Sequence, residues 1–227
     1  MYSPSVEKMR AFLYFPLGLL PSLFFTLRML IQWIQSERRK ESCVTPLFWK
    51  LSLAGNLLLY CHHVVQVQLH FALFQCVNAL IAWRNLDFLQ KERAPRSRGV
   101  VFGLLGGALL LTVLFFLWQG IFLLDEMDWV RTPQKLWNVT RQYHSTAWHI
   151  MGTFGAALFA SRLWIQWWGA ESQQQSTLGR AYWILSIVGS AIVLLYAWHI
   201  RDVVIAIYHL FALIPYLRNL MLIKRRS

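Results

Sequence analysis

The chain has 227 residues, of which 57% are hydrophobic and 14% charged, and its mean hydropathy is +0.42. A water-soluble domain of this size is only about half apolar, so the surplus apolar surface excludes an ordinary soluble fold and points to lipid. The net charge of +12 raises nucleic acid as a partner, but most Lys and Arg stand at the ends of apolar stretches, where they meet anionic head groups or fix topology. No basic patch is interleaved with a nucleic-acid fold, which excludes that class.

The first apolar stretch, Ala11 to Ile34, is too long for a signal-peptide core and lacks a small-residue cleavage site, so it is expected to remain as an anchor. Further spans are predicted at 46–65, 69–90, 100–124, 146–168, 181–200 and 203–223, after a first at 11–35. Each is near the ~20 residues that cross a bilayer as helix. The second and third, parted only by the weakly polar stretch around His62 to His70, read as a tight hairpin, as do the sixth and seventh, parted by Arg201 and Asp202. Gly103, Gly106 and Gly107 in the fourth span are expected to allow close helix approach. The main hydrophilic loop runs from Asp125 to about Ser145. Cys43, Cys61 and Cys76 show neither metal nor disulfide spacing.

Loop charges give the orientation. With the N-terminus outside, the cytoplasmic side collects Arg38, Arg39, Lys40, Lys91, Arg93, Arg96, Arg98, Arg180, Lys224, Arg225 and Arg226. The other side holds fewer: Lys8, Arg10, Arg131, Lys135, Arg141 and Arg201. The predicted topology is N-terminus out and C-terminus cytoplasmic.

An internal repeat organises the chain. LRMLIQWIQSERRKES from Leu27 superposes without a gap on SRLWIQWWGAESQQQS from Ser161, at an offset of 134 residues. Identical pairs are Arg28/Arg162, Gln32/Gln166, Trp33/Trp167, Glu37/Glu171, Ser42/Ser176, Trp49/Trp183, Ser52/Ser186 and Gly55/Gly189, closing with Arg84/Arg218, Asn85/Asn219 and Leu86/Leu220. Matched polar and Trp positions are hard to obtain from composition alone, so the repeat is real. The offset covers an even number of spans, which orients both copies alike; the Gly-rich fourth span restores the direction that three helices would invert. The expected fold is therefore all-α and integral to the membrane: seven transmembrane helices, arranged 3+1+3 with two parallel three-helix repeats. Residues 1–90 form the first repeat, 91–145 the linker helix and external loop, and 146–227 the second repeat. Parallel repeats about an axis along the membrane normal are also the plan of the SWEET sugar transporters.

The pattern Arg-x3-Gln-Trp-x3-Glu-x4-Ser, then Phe-Trp-x2-Ser-x2-Gly, then Arg-Asn-Leu, resembles the lipid A biosynthesis N-terminal domain. That family is grouped with the SWEET and PQ-loop families. It includes free-standing bacterial membrane proteins and the N-terminal extension of chlamydial-type lipid-A-disaccharide synthases. The resemblance covers about 28–88 and 162–222. Copy one keeps Pro46, Phe48 and Trp49; copy two carries Arg180 and Tyr182 at the first two positions but keeps Trp183 and Tyr216 to Leu220. The missing proline separates the two copies. The resemblance implies a Gram-negative inner membrane and a pathway rather than a reaction. A synthase of that pathway works at the cytoplasmic face on UDP-diacylglucosamine and a monophosphorylated diacylglucosamine. The chain then reads as a free-standing protein or as the membrane part of, or partner to, such a glycosyltransferase.

The candidate site is Arg28, Gln32, Arg84, Asn85, Arg162, Gln166, Arg218 and Asn219. Arg and Gln at i and i+4 share a helix face. An Arg mid-membrane costs roughly 2.5–3.5 kcal/mol, so it turns to the protein interior and finds partners. One reading is a cationic cradle for the phosphate or sugar of a lipid head group, since Arg suits bidentate phosphate contact. In the other, the same arginines snorkel or pair with Glu37 and Glu171 to lock helices together. Trp33, Trp49, Trp167 and Trp183 are assigned to the interfacial aromatic belt, and Gly55 and Gly189 to close packing. Asn56 at the midplane is a weaker substrate candidate. His62, His63, His70, His144 and His149 lack ligand spacing, so no metal is expected, and no cofactor. Asn138-Val139-Thr140 fits a glycosylation sequon that matters only in a eukaryotic secretory pathway. No nucleophile-with-base set, phosphate-binding Gly loop or acidic pair appears, so no catalytic residue is assigned. The expected role is a non-catalytic membrane module that anchors or presents a phosphoglycolipid to a cytoplasmic glycosyltransferase domain. The alternatives are a SWEET-like transporter of a small sugar or head group, and a pure scaffold.

Overall fold

A computed structural model describes residues 4–90, 92, 94–122, 145–199 and 203–224. Among the described residues the chain is all-helical, with no strand. The order is α1 (Pro4–Arg39), α2 (Pro46–Val65), α3 (Leu69–Phe88), α4 (Arg98–Phe122), α5 (Thr146–Gln173), α6 (Arg180–His199) and α7 (Val203–Lys224). The loop expected between Asp125 and Ser145, with His144 and the Asn138 sequon, lies outside the described residues, as do Arg201 and Asp202.

Local chemistry explains the helix ends. Pro46 opens α2, where its missing N–H would be an orphan in any case. The cations Arg38 and Arg39 sit in the last turn of α1, facing the negative end of its dipole. Both first-of-repeat helices stop the same way. Lys40 and Gln174, 134 residues apart, take left-handed φ values of 53° and 52°. The next amide reaches back, Glu41 N to Ser36 O and Gln175 N to Ala170 O, both 3.2 Å. This closing pattern satisfies carbonyls that the helix leaves open. Between α2 and α3, Val67 also has a positive φ, 56°. That is costly for a β-branched residue. Its side chain is fully buried with Ala72 and Phe116, against Tyr60, Val64 and Leu69, and this burial holds the turn.

The chain forms two compact units. The first comprises Met1–Arg28 and Pro46–Leu136, the second Met29–Thr45 and Trp137–Ser227. The end of α1 therefore belongs with the second unit. Within the first, α3 packs on both α2 and α4; within the second, α6 packs on both α5 and α7. α4 buries Val101, Thr112, Phe116 and Gln119, and Thr112 Oγ1 hydrogen-bonds Tyr60 Oη at 3.0 Å.

Burial is inverted relative to a soluble bundle. Arg28, Gln32, Arg84, Asn85, Arg162 and Asn219 are buried, while Phe102, Leu110, Leu111, Leu195, Trp198 and Phe211 are exposed. Hydrocarbon as solvent demands this arrangement, because polar groups there must find partners inside the protein. Three helical segments, Pro16–Arg39, Arg98–Phe122 and Arg180–His199, are long and apolar enough to cross a membrane. They mark the chain as membrane-associated.

Two expectations need correction. Among the described residues, a Cβ placed on Gly103, Gly106 or Gly107 would meet nothing within 4 Å, so within the first unit these glycines do not mark a close helix approach. Trp49 and Trp183 are 1% and 0% exposed and cannot belong to an interfacial belt. Each instead stacks edge-on to its neighbour, Phe48 or Tyr182, with centroids 4.9 Å apart. The Trp183 indole N–H donates to Leu178 O at 3.2 Å and to Ser42 Oγ at 3.1 Å. A buried Trp needs such acceptors, which is why its position is fixed. Gly55 and Gly189 have close neighbours. A Cβ on Gly55 would lie 2.6 Å from the Phe25 ring, and one on Gly189 would lie 2.6 Å from the Phe159 backbone.

Candidate functional site

The repeat seen in sequence is also a repeat of contacts. In the first copy the Arg28 guanidinium lies 4.8 Å from the centre of the Phe25 ring and 5.2 Å from that of Phe48. It donates to Ser52 Oγ at 2.7 Å, and that hydroxyl donates to Phe48 O at 2.7 Å. In the second copy Arg162 lies 3.4 Å from the Phe159 ring centre, 5.6 Å from Tyr182 and 5.7 Å from Tyr216. Ser186 Oγ donates to Tyr182 O at 2.7 Å. Phe25/Phe159, Phe48/Tyr182 and Ser52/Ser186 all obey the 134-residue offset. Both arginines are almost wholly buried, 6% and 4% exposed, so each cation is held on aromatic faces. Such a contact contributes about 2 kcal/mol when desolvated.

One turn further along the first helix of each copy, Gln32 and Gln166 anchor the loop that follows, donating to Cys43 O at 3.3 Å and Thr177 O at 3.2 Å. Gln32 also forms a reciprocal amide pair with Asn219: Nε2 donates to Oδ1 at 2.8 Å, and Asn219 Nδ2 returns a bond to Oε1 at 3.2 Å. Asn219 Nδ2 further donates to Pro215 O at 2.8 Å, and Asn85 Nδ2 donates to Ile81 O at 2.9 Å. The indoles of Trp33 and Trp167 donate to Glu37 and Glu171 at 3.3 and 3.2 Å.

The last arginine of each copy is used differently. Arg218 pairs with Glu37, its Nη2 donating to Oε2 at 2.9 Å, and both side chains remain about a third exposed. Arg84 is buried, donating to Asp87 Oδ2 at 2.7 Å and to Arg96 O at 2.8 Å. Asp87 also accepts from the Arg96 backbone N–H at 2.8 Å and from Arg96 Nη1 at 2.9 Å. The second copy has Met221 at the position of Asp87, so this clamp belongs to the first copy.

The eight candidate residues therefore divide by unit. Arg28, Arg84 and Asn85 lie in the first; Gln32, Arg162, Gln166, Arg218 and Asn219 lie in the second. The structure joins Gln32 to Asn219, and brings Glu37, assigned from sequence to helix locking, onto Arg218. Sequence reasoning missed the aromatic platforms of Phe25, Phe159 and Tyr216, and the Asp87–Arg96 clamp. The platforms had a usable signal, since Phe25 and Phe159 repeat at the same offset as the arginines they carry. The clamp had none, because it occurs once. His62 and His63 pack against each other at 5.3 Å. His63 Nδ1 bonds Gln68 at 2.7 Å, and the His62 ring fills the space beside Gly18. Among the described residues no group of three His, Cys, Asp or Glu converges as a metal site.

The Lipid A Biosynthesis N-terminal domain family matches the chain twice, over residues 17–87 and 151–221. The two matches begin and end 134 residues apart, the same offset that superposes the contacts. The chain belongs to this family. The family matches contain all eight candidate residues and omit α4. Similar curated proteins are chlamydial lipid-A-disaccharide synthases. That of Chlamydia felis is 34% identical over 213 residues, covering 94% of this chain and 33% of the relative. That of Chlamydia muridarum is 33% identical over 221 residues, covering 97% and 36%. The Chlamydia pneumoniae protein is 30% identical over 216 residues, covering 95% and 34%. The chain thus spans about a third of the length of the relatives it matches. No solved structure matches it.

Proposed function

We propose that this chain is a non-catalytic membrane module of lipid A or related glycolipid assembly in the inner membrane of a Gram-negative bacterium. It anchors, or presents, a phosphorylated glycolipid to a glycosyltransferase of the lipid-A-disaccharide synthase type at the cytoplasmic face. All seven described helices cross the bilayer in this reading, 3+1+3 with parallel repeats, N-terminus out and C-terminus in. Arg28, Gln32, Arg84, Asn85, Arg162, Gln166, Arg218 and Asn219 supply the contacts to phosphate and sugar. The observation that carries the reading is the pair Arg28 and Arg162. Each is a buried guanidinium laid on aromatic rings at the same place in its repeat, in a chain whose relatives are named for lipid A disaccharide synthesis. A buried cation repeated at the same place in both copies marks a functional position in a membrane protein. Arginine offers a phosphate two parallel N–H donors.

The test is direct. Arg28→Gln and Arg162→Gln, made singly in the full chain, are expected to reduce co-purified phosphoglycolipid at least tenfold while leaving folded protein in the membrane. Lost yield with undiminished lipid in the surviving protein would assign the arginines to helix locking instead. Topology is checked separately. With Cys43, Cys61 and Cys76 replaced by Ser, cysteines introduced at Arg38 and Arg180 should both be shielded from an impermeant thiol reagent in intact cells. Labelling of one and not the other would end the parallel arrangement.

A further inference from the structure

Arg84 and Arg218 are equivalent by the repeat but are neutralised in different ways. Arg84 has an acid on its own helix three residues on, Asp87, and the two side chains are shut away at 1% and 0% exposure. Arg218 has Met221 at that place, and its counter-charge comes from another helix. Arg218 Nε and Nη2 donate to Glu37 Oε1 and Oε2, the second bond at 2.9 Å. Glu37 Oε1 also accepts from the Trp33 indole at 3.3 Å. The carboxylate thus fills one edge of the guanidinium, and both side chains stay about a third exposed. Positive charge gathers at the same end of α1. Arg38, Arg39 and Lys40 follow Glu37 and are exposed, where the second copy has Ser172, Gln173 and Gln174.

A guanidinium edge with two parallel N–H donors grips a carboxylate or a phosphate in the same way. An ion pair open to solvent has little net value, so the fork can be exchanged. A phosphomonoester carries about −1.5 to −2 charges at neutral pH and would approach an end that holds Arg38, Arg39 and Lys40, which favours it over a singly charged carboxylate. The helices need not part when Glu37 turns away. The reciprocal amide pair of Gln32 and Asn219, the residue after Arg218, still ties α1 to α7. We propose that Glu37 is a displaceable occupant of the Arg218 fork: its carboxylate holds the place of a phosphomonoester, which opens the pair by taking that edge over. The inference rests on the head-group reading and deepens it, by making one of the eight contacts conditional on the release of an internal anion.

Glu37→Gln tests this in the full chain in detergent micelles, since it keeps an acceptor for Trp33 and removes the charge. The probes are dihexanoyl phosphatidic acid, a lipid-borne monoester, and glucose 1-phosphate, a free one; dihexanoylglycerol and glucose serve as phosphate-free controls. Glu37→Gln is expected to lower the Kd for a monoester about fivefold with little change in ligand-free Tm. Glu41→Gln, which removes the same charge four residues away, should shift it less than twofold, and the gain should vanish when Arg218→Gln is added. Tightening confined to phosphatidic acid assigns the fork to a lipid head group, and tightening of glucose 1-phosphate as well admits a free sugar phosphate; either supports the displaceable occupant. Unchanged or weaker binding by Glu37→Gln overturns it and leaves the head-group reading standing, as does an equal gain from Glu41→Gln or a gain that survives Arg218→Gln. Should Glu37→Gln fail to fold, Glu37→Asp, which keeps the charge and shortens the reach, decides by the same comparison. Failure of wild type and variant alike to bind either monoester overturns both the occupant and the reading beneath it.

Discussion

Gly189→Ala should unfold the second repeat, whereas Gly55→Ala should only soften the first. The added methyl meets different neighbours. At Gly189 it would lie 2.6 Å from the Phe159 amide nitrogen, 2.8 Å from its Cα and 2.9 Å from its Cβ. Carbon contacts are comfortable at about 3.5–4.0 Å, so α5 and α6 must separate along their whole contact. The same interface is tight at Gly152 and Gly155, where a Cβ would lie 2.5 Å from Tyr196 and 2.6 Å from Ile192. At Gly55 the nearest atoms all belong to the Phe25 ring, which can pivot at some loss of its contact with Arg28. Overpacking a close core costs about 1–3 kcal/mol and more where backbone must move. With about 2–4 °C per kcal/mol for a chain of this length, Gly189→Ala should lower the unfolding midpoint by about 10 °C or abolish folded yield, and Gly55→Ala by about 3 °C. Tryptophan fluorescence during thermal unfolding in detergent reads both. Phe25→Ala should rescue Gly55→Ala, but Phe159→Ala should not rescue Gly189→Ala, because the clash there is with main chain. Equal losses at the two glycines, or rescue at both, would contradict this account.

Much of this was legible in sequence because hydrocarbon punishes an unpaired backbone polar group so heavily that long apolar runs are committed to helix. The helices read at 46–65, 69–90 and 203–223 fall on α2, α3 and α7 almost residue for residue, while the segments long and apolar enough to cross a membrane, among the described residues, are Pro16–Arg39, Arg98–Phe122 and Arg180–His199. The 134-residue offset is equally literal: it predicts which side chains recur in the same contacts, down to the left-handed Lys40 and Gln174. Burial was harder to read. Tryptophan in a membrane protein is found both at the interface and inside. Only the acceptors offered to Trp183, one of them Ser42 at 141 residues' separation, decide for the interior. Glycines mislead for the same reason. Gly189 and Gly103 look alike in sequence, yet one abuts backbone and the other faces open space. Pairing was the least legible level. The offset makes Arg84 and Arg218 equivalent, and the nearby change that parts them is three residues on, Asp87 in one copy against Met221 in the other.

That single change sets up the second large effect. Asp87→Ala should destabilise the first unit far more than Glu37→Ala destabilises the second, although each removes the carboxylate facing the equivalent arginine. The Asp87 and Arg84 side chains are 0% and 1% exposed, and Asp87 accepts three hydrogen bonds, one from Arg84 and two from Arg96. Arg96 precedes α4, so the carboxylate ties the end of α3 to the segment leading into that helix. Deleting it leaves the buried Arg84 charge without its counter-ion and the Arg96 amide without its acceptor. Breaking a buried ion pair on one side costs about 3–5 kcal/mol, or a fall of about 10 °C in midpoint on the scale above. Arg218 and Glu37 keep a third of their surface in contact with solvent, where screening leaves an ion pair little net value. The asymmetry also fixes a control. Replacing both buried partners, Arg84→Met with Asp87→Leu, removes the charges together with the need to neutralise them. It should recover most of the lost stability, since an apolar pair can replace a buried ionic one at little cost. If the double variant is as unstable as Asp87→Ala, the destabilisation comes from the lost anchoring of Arg96 and not from an uncompensated Arg84. Adding Arg96→Ala to Asp87→Ala, with no further loss expected in that case, would then confirm where the carboxylate acts.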